Sequence, residues 1–194
     1  MAQRLSINTH FFQVFVLVIA WAWGFGSAAH ADDFRNATWG MSFDDVIDLH
    51  PRELPADRRI GYVAFSSTLA GLDVEIFYEF NADAELVAAG YSIHAEPERS
   101  QEALEEYNTL NSLLRKRYPD SLTPERKFTK QTFAEDPAQW GRALRVGQLT
   151  VDWQHALPRT EIRHVLSGSR REVSHTLRYR ATLGSQEQNA LDQL

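Results

Sequence analysis

Residues Leu72 to Glu96 read LDVEIFYEFNADAELVAAGYSIHAE, and the period of this stretch decides the fold class. Leu72, Val74, Ile76, Tyr78 and Phe80 alternate with Asp73, Glu75, Phe77 and Glu79. A period of two suits a strand with one covered face, and a helix cannot satisfy it. Asn81 to Ala84 interrupts the alternation with turn chemistry. Val87, Ala89, Tyr91 and Ile93 then resume the apolar face, so the stretch reads as an antiparallel hairpin. Ile60 to Ser66 supplies a strand ahead of it and completes a three-stranded meander.

Upstream, the segment RNATWGMSFDDVIDLHP (Arg35 to Pro51) changes to helical chemistry. Ser42 is placed as an N-cap with Asp45 at the third helical position, a capping box with a shorter acid. Met41 and Val46 form the hydrophobic staple, and Asp44 and Asp45 suit the positive end of the helix dipole. Pro51 stops the helix because the residue before proline resists the α region. The motif therefore starts a helix rather than carrying chemistry.

Downstream, Leu104, Tyr107, Leu110, Leu114 and Tyr118 recur at helical spacing, which predicts a helix over 101–118 with Ser100 as its cap. Glu102, Glu105 and Glu106 load its start and Arg115, Lys116 and Arg117 its end, as the dipole favours. Asp136-Pro137 opens a short helix through DPAQWGRAL. Alternation returns in LTVDWQH, EIRHVLS and EVSHTLRYRA, a second meander with a turn at GSRR. Helix, three strands, two helices and three strands make an α+β fold. Two helix-plus-meander units, pseudo-halves 32–118 and 119–183, should share a sheet of about six strands with helices on one face. Trp39, Trp153, Leu104, Leu114, Tyr107, Ile76 and Val74 are the expected core.

The first 31 residues read as an export leader: Arg4, then the apolar run FFQVFVLVIAWAW, then SAAHA with Ala29 and Ala31 in the A-x-A relation. That run is too short for the roughly 20 apolar residues a bilayer requires, so cleavage after Ala31 leaves no integral span. Removing 31 of 194 residues leaves 163, one domain's worth, at 32–183 with a polar tail at 184–194. The leader holds one arginine and no acid, so the net charge moves from −6 to −7. An acidic exported chain is poorly suited to nucleic acid, which selects basic faces. Without cysteine, no disulfide or lipid-modified N-terminal cysteine can form.

Six segments carry a resemblance: FRNATWGMSFDDV, GYSIHAE, YNTLNSLLRKRYPD, DPAQWGRALRVGQLTVDWQ, TEIRHVLSG and HTLRYRA. Together, and in this order, they resemble an uncharacterised family of exported bacterial proteins and lipoproteins that begin F-x-x-x-x-W-G-M-S-x-x-x-V. The helix start is also similar to small envelope domains of the outer-membrane assembly lipoprotein and β-lactamase-inhibitor type. The second resemblance implies a non-catalytic, protein-binding role and transfers no binding residue; with the export leader it leads to the expectation of a periplasmic domain in a Gram-negative envelope that binds another envelope protein or a small ligand. His164 and His175 depart from the pattern, since aliphatic residues stand there in the family.

The chain holds no G-x-S-x-G, S-x-x-K, H-E-x-x-H or glycine-rich phosphate loop, so no specific route to an enzyme is written in it. Two constellations remain. Asp73, Glu75 and Glu79 on the first meander and Arg163, Arg178 and Arg180 on the second share the face opposite the apolar one. They read either as ordinary solvated charge, with Glu161 paired to Arg178, or as a docking surface anchored by Phe77. His155, His164 and His175 share the apolar face. Pairing Ser167 with Glu172 sets His164 directly against His175. The trio reads either as histidines at the core edge or as ligands of Zn²⁺ in a metal-binding protein or metal-dependent hydrolase.

Overall fold

The structure is a computed structural model that describes residues 33–182. The leader expected at 1–31 and the tail expected at 184–194 lie outside the described residues. Within them the fold is α+β, built on one antiparallel sheet. Its strands are β1 (Asp57–Arg59), β2 (Tyr62–Leu69), β3 (Leu72–Phe80), β4 (Leu86–Ala95), β5 (Glu125–Phe128), β6 (Leu149–Ala156), β7 (Thr160–Gly168) and β8 (Val173–Ala181). Their order is β1-β2-β3-β4-β8-β7-β6-β5, eight strands in place of the expected six. The extra two, DRR and ERKF, are short and mostly exposed edge strands whose sequences carry no apolar alternation. Each half of the sheet therefore holds four strands, and the halves meet where β4 pairs with β8.

Helix α1 (Phe43–Asp48) carries the capping box: Asp45 N–H donates to Ser42 Oγ at 3.2 Å, and Ser42 N–H donates to Asp45 Oδ2 at 3.1 Å. Helix α2 (Ser100–Arg117) follows a 3-10 turn at Pro97–Arg99. Ser100 is its first residue rather than its cap, and its hydroxyl donates back to the Pro97 carbonyl. Helices α3 (Gln131–Ala134) and α4 (Trp140–Arg145) complete the set. Asp136 accepts from Ala138 N–H at 3.0 Å and leads into α4 through a 3-10 turn.

Register places Phe65, Ile76, Tyr91, Leu177, His164 and Trp153 in one row across six strands. Successive partners in an antiparallel ladder share a face, so this row and its neighbours define the covered side. Val46 of α1 packs with Phe65, Ile76 and Tyr78. Leu104 and Tyr107 of α2 and Leu144 of α4 pack with Val151, Leu166 and Val173. Leu114 closes on Trp153, Ile162 and Leu177. Trp39 is only half-buried and ties the N-terminal segment to β7 by donating from Nε1 to Thr160 Oγ1 at 2.9 Å.

Two local details shift the expected registers. Glu79 pairs with Ala88 but Phe80 with Leu86, a bulge that makes Leu86 rather than Val87 the core residue. At the last hairpin, Ser169 Oγ accepts from the Arg171 and Glu172 N–H groups, so the turn starts one residue later than GSRR. Gly168 becomes the final residue of β7, opposite Val173. A side chain there would collide with α4, since a Cβ would stand 2.4 Å from the Leu144 carbonyl oxygen.

Candidate functional site

The uncovered face of the sheet gathers the expected charged residues. Asp73 and Arg180 are exposed; Glu75, Glu79 and Arg178 are half-buried. Among the described residues no helix packs on this side. Strand pairing sets Glu161 opposite Arg180 and Arg163 opposite Arg178. The Glu161–Arg178 pair does not form, because the hairpin register lies two residues from the expected one. Two like charges directly opposed on adjacent strands repel. Each arginine resolves this by turning to a carboxylate on its other side. Arg178 donates to Glu79 Oε2. Arg163 donates from Nε to Asp152 Oδ1 at 3.0 Å and from Nη2 to Asp152 Oδ2 at 2.6 Å. Those two hydrogen bonds hold the Asp152 carboxyl below the usual carboxylate range, against the opposing effect of its burial. Asp152 lies among apolar neighbours in LTVDWQH, so nothing local in the sequence marks it as an ion-pair partner.

Phe77 does not project as an anchor. It is 4% exposed, stacked on Tyr62 with centroids 6.2 Å apart, and its edge lies over Gly90. A Cβ at Gly90 would stand 2.8 Å from Phe77 Cζ and 2.2 Å from the Leu177 carbonyl oxygen. The glycine thus makes room for the ring, and Tyr62 is the aromatic with an accessible surface.

On the covered side, His164 and His175 meet, though not as a direct pair. His164 is opposite Leu177 and His175 opposite Leu166, so the rings touch diagonally, with His164 Nε2 3.3 Å from His175 Nδ1. Both are almost wholly buried, at 0% and 2% exposure. Tyr107 of α2 stacks on His164 at 4.0 Å and donates to its carbonyl oxygen at 3.0 Å. His164 Nδ1 and His175 Nε2 have no hydrogen-bond partner. Glu106 Oε2 stands 3.8 Å from His175 Nε2, too far to accept a hydrogen bond. Burial holds both imidazoles well below their ordinary pKa; the neighbouring His175 adds to the effect at His164, and His94 adds to it at His175. His155 sits one strand and two residues away, against Tyr118 at 4.8 Å and Trp153 at 6.1 Å. Among the described residues no group of three or more His, Cys, Asp or Glu side chains is placed to hold a metal ion.

The structure also assembles a group that no sequence motif announces. Ser92 Oγ is 2.8 Å from His94 Nε2, and His94 Nδ1 is hydrogen-bonded to Glu172 across the β4–β8 pair. Ser-x-His on one strand was the available signal, since i and i+2 share a face. An ionised carboxylate only accepts, so it assigns the proton to Nδ1 and leaves Nε2 to accept from Ser92. That is the order a general base needs. Yet Ser92 lies on an inner strand paired with both Glu75 and Thr176, so its N–H is committed to the sheet and unavailable to a developing oxyanion. His50 is likewise a joint, with Nδ1 3.1 Å from Glu53 Oε2, Nε2 2.9 Å from Tyr78 Oη, and its ring stacked on Phe65 at 4.0 Å. Burial pushes the Tyr78 hydroxyl up to about 12, so it remains neutral.

No described helix is long and apolar enough to cross a membrane. Against this geometry, comparison of the chain with protein-family models, with curated proteins and with solved structures yields no match.

Proposed function

We propose that this protein is an exported, non-catalytic periplasmic domain whose helix-free sheet face binds another envelope protein or a small ligand. The observation that carries this reading is the one-sided architecture. α1, α2 and α4 bury the apolar face, while Asp73, Glu75, Glu79, Arg163, Arg178 and Arg180 stand on the opposite face with no described layer over them. A face bearing acids on β3 and arginines on β7 and β8 offers both signs to a partner, which favours orientation and specificity over raw affinity. The leader-like first 31 residues and the resemblance to exported envelope proteins support the location. Intact-mass measurement of periplasmic protein should give a mature chain beginning at Asp32; a full-length mass in the membrane fraction would refute export with cleavage.

The binding reading is tested by cross-linking in the periplasm with wild type and with Asp73→Lys/Glu75→Lys. These side chains have no ion-pair partner among the described residues. The variant should keep its melting temperature and lose the cross-linked species. Retention of the same species would move the interface off this face. The alternative, zinc held by His155, His164 and His175, requires His155 to leave Tyr118. It predicts stoichiometric zinc in protein purified without chelator, abolished by His164→Leu/His175→Leu.

A further inference from the structure

A second site lies away from that sheet face, along the edge of α2 where its buried side meets solvent, and does not depend on the reading above. Asn108, Asn111, Ser112, Arg115 and Lys116 follow i, i+3, i+4, i+7 and i+8 spacing and therefore line one side of the helix. Such a stripe normally faces open water. Here the chain folds back after α2: Tyr118 N–H donates to the Leu114 carbonyl, and Ser121 donates from both N–H and Oγ to the Tyr118 carbonyl. The return through Pro124 into β5 raises an opposite wall that carries Arg126. Between the walls lies a cleft of about 590 Å³.

Three features of this cleft point the same way. Its lining holds three cations, Arg115, Lys116 and Arg126, and no carboxylate, in a chain whose net charge is −6. Among the described residues none of the three cations is ion-paired, whereas arginines elsewhere pair with acids. Arg126 is also held in place, its guanidinium 4.7 Å from the Trp140 ring centre. Finally, Asn111 is only 3% exposed at the back of the cleft, and its amide nitrogen has no hydrogen-bond partner. A buried donor without an acceptor is uncommon in a folded chain and costs stability where it occurs. The dipole of α2 accounts for basic residues near its C-terminus, but not for Arg126 on another element or for the amide.

We infer that this cleft binds a small oxyanionic ligand carrying at least two negative charges, of the diphosphate or phosphate-ester class. Two guanidiniums can each grip a phosphoryl group through paired N–H donors, and Lys116 adds a point charge at the rim. Asn111 lines the back of the cleft, and a turn of its side chain would bring the unpartnered amide nitrogen to the ligand. A neutral ligand would leave three cations uncompensated, and a long polyanion would meet the acidic remainder of the molecule.

Isothermal titration with pyrophosphate at low ionic strength tests this, beside amide chemical-shift mapping. We expect saturable 1:1 binding, shifts centred on Asn108–Lys116 and Arg126, and weakening as salt rises. Arg115→Glu/Lys116→Glu alters two exposed side chains that the core does not use and should lower the affinity at least tenfold with the fold intact. Arg126→Ala should lower it about tenfold, the loss of one charge-assisted contact. Arg178→Ala/Arg180→Ala, on the sheet face, should leave it unchanged. No saturable binding, equal affinity in the Arg115→Glu/Lys116→Glu variant, or loss in the sheet-face variant would each overturn the assignment.

Discussion

His164 and His175 should make this protein acid-sensitive well above the carboxylate range. In the folded state both rings are buried and hold their pKa values below 6.5, whereas in the unfolded chain each returns to about 6.5. The unfolded state therefore binds more protons as pH falls, and stability present at pH 7.5 is lost on acidification through 6.5 and on down to the folded values. At pH 5 the unfolded imidazole lies about 1.5 pH units below its pKa, which at 1.36 kcal/mol per unit amounts to about 2 kcal/mol per histidine. This holds as long as the folded pKa stays below 5, so the magnitude does not depend on how the two rings share the shift. Together they should remove about 4 kcal/mol between pH 7.5 and 5. At a urea dependence of roughly 2 kcal/mol per molar, the midpoint should fall by about 2 M. Urea unfolding followed by tryptophan fluorescence, in pH steps across this range, measures it directly. The comparison that decides is His164→Leu/His175→Leu. Removing both partners of the 3.3 Å contact leaves no new unpaired group and suits apolar neighbours such as Leu177 and Leu166. The double variant should fold and lose most of the pH dependence. An unchanged slope would show that the pair is solvated or protonated in the folded state.

Three further predictions rest on packing and pairing. Leu114→Ala should cost on the order of 2–5 kcal/mol in chemical denaturation, because it opens a void against Trp153, Ile162 and Leu177; a loss below about 0.5 kcal/mol would place that stripe in solvent. Gly90→Ala should be more damaging than its size implies, since the new methyl group meets the Leu177 carbonyl oxygen and the Arg178 Cα, backbone atoms of β8 that cannot rotate away. We expect about 1–3 kcal/mol or more on overpacking grounds, and a neutral result would contradict the close β4–β8 approach. Arg163→Ala should cost about 1–3 kcal/mol by stranding the buried Asp152 carboxylate. NMR titration of Asp152 in that variant should show its pKa rising, and a carboxyl that does not move would separate it from the guanidinium.

The sequence by itself determined the elements whose signals are local. Alternation from Leu72 to Phe80 specified β3, and the capping box at Ser42 and Asp45 specified α1. The stripe Leu104, Tyr107, Leu110, Leu114 specified the buried side of α2. It also put the acids and arginines on one side of the sheet and His155, His164 and His175 on the other, because parity along a strand survives any even shift of register. What only the tertiary structure decided was everything that depends on register and on distant neighbours. The last hairpin turns through Ser169–Glu172, and its register lies two residues from the expected one. That shift turned a direct histidine pair into a diagonal one and exchanged Arg178's expected partner, Glu161, for Glu79. A bulge replaced Val87 with Leu86 in the core, and Gly90 let Phe77 lie flat instead of standing out. Edge strands β1 and β5 have no apolar period because they bury little, so their pairing partners alone make them strands. The α2 cleft was hidden for the same reason: a polar helical stripe looks solvated until a segment more than a turn away folds back to face it.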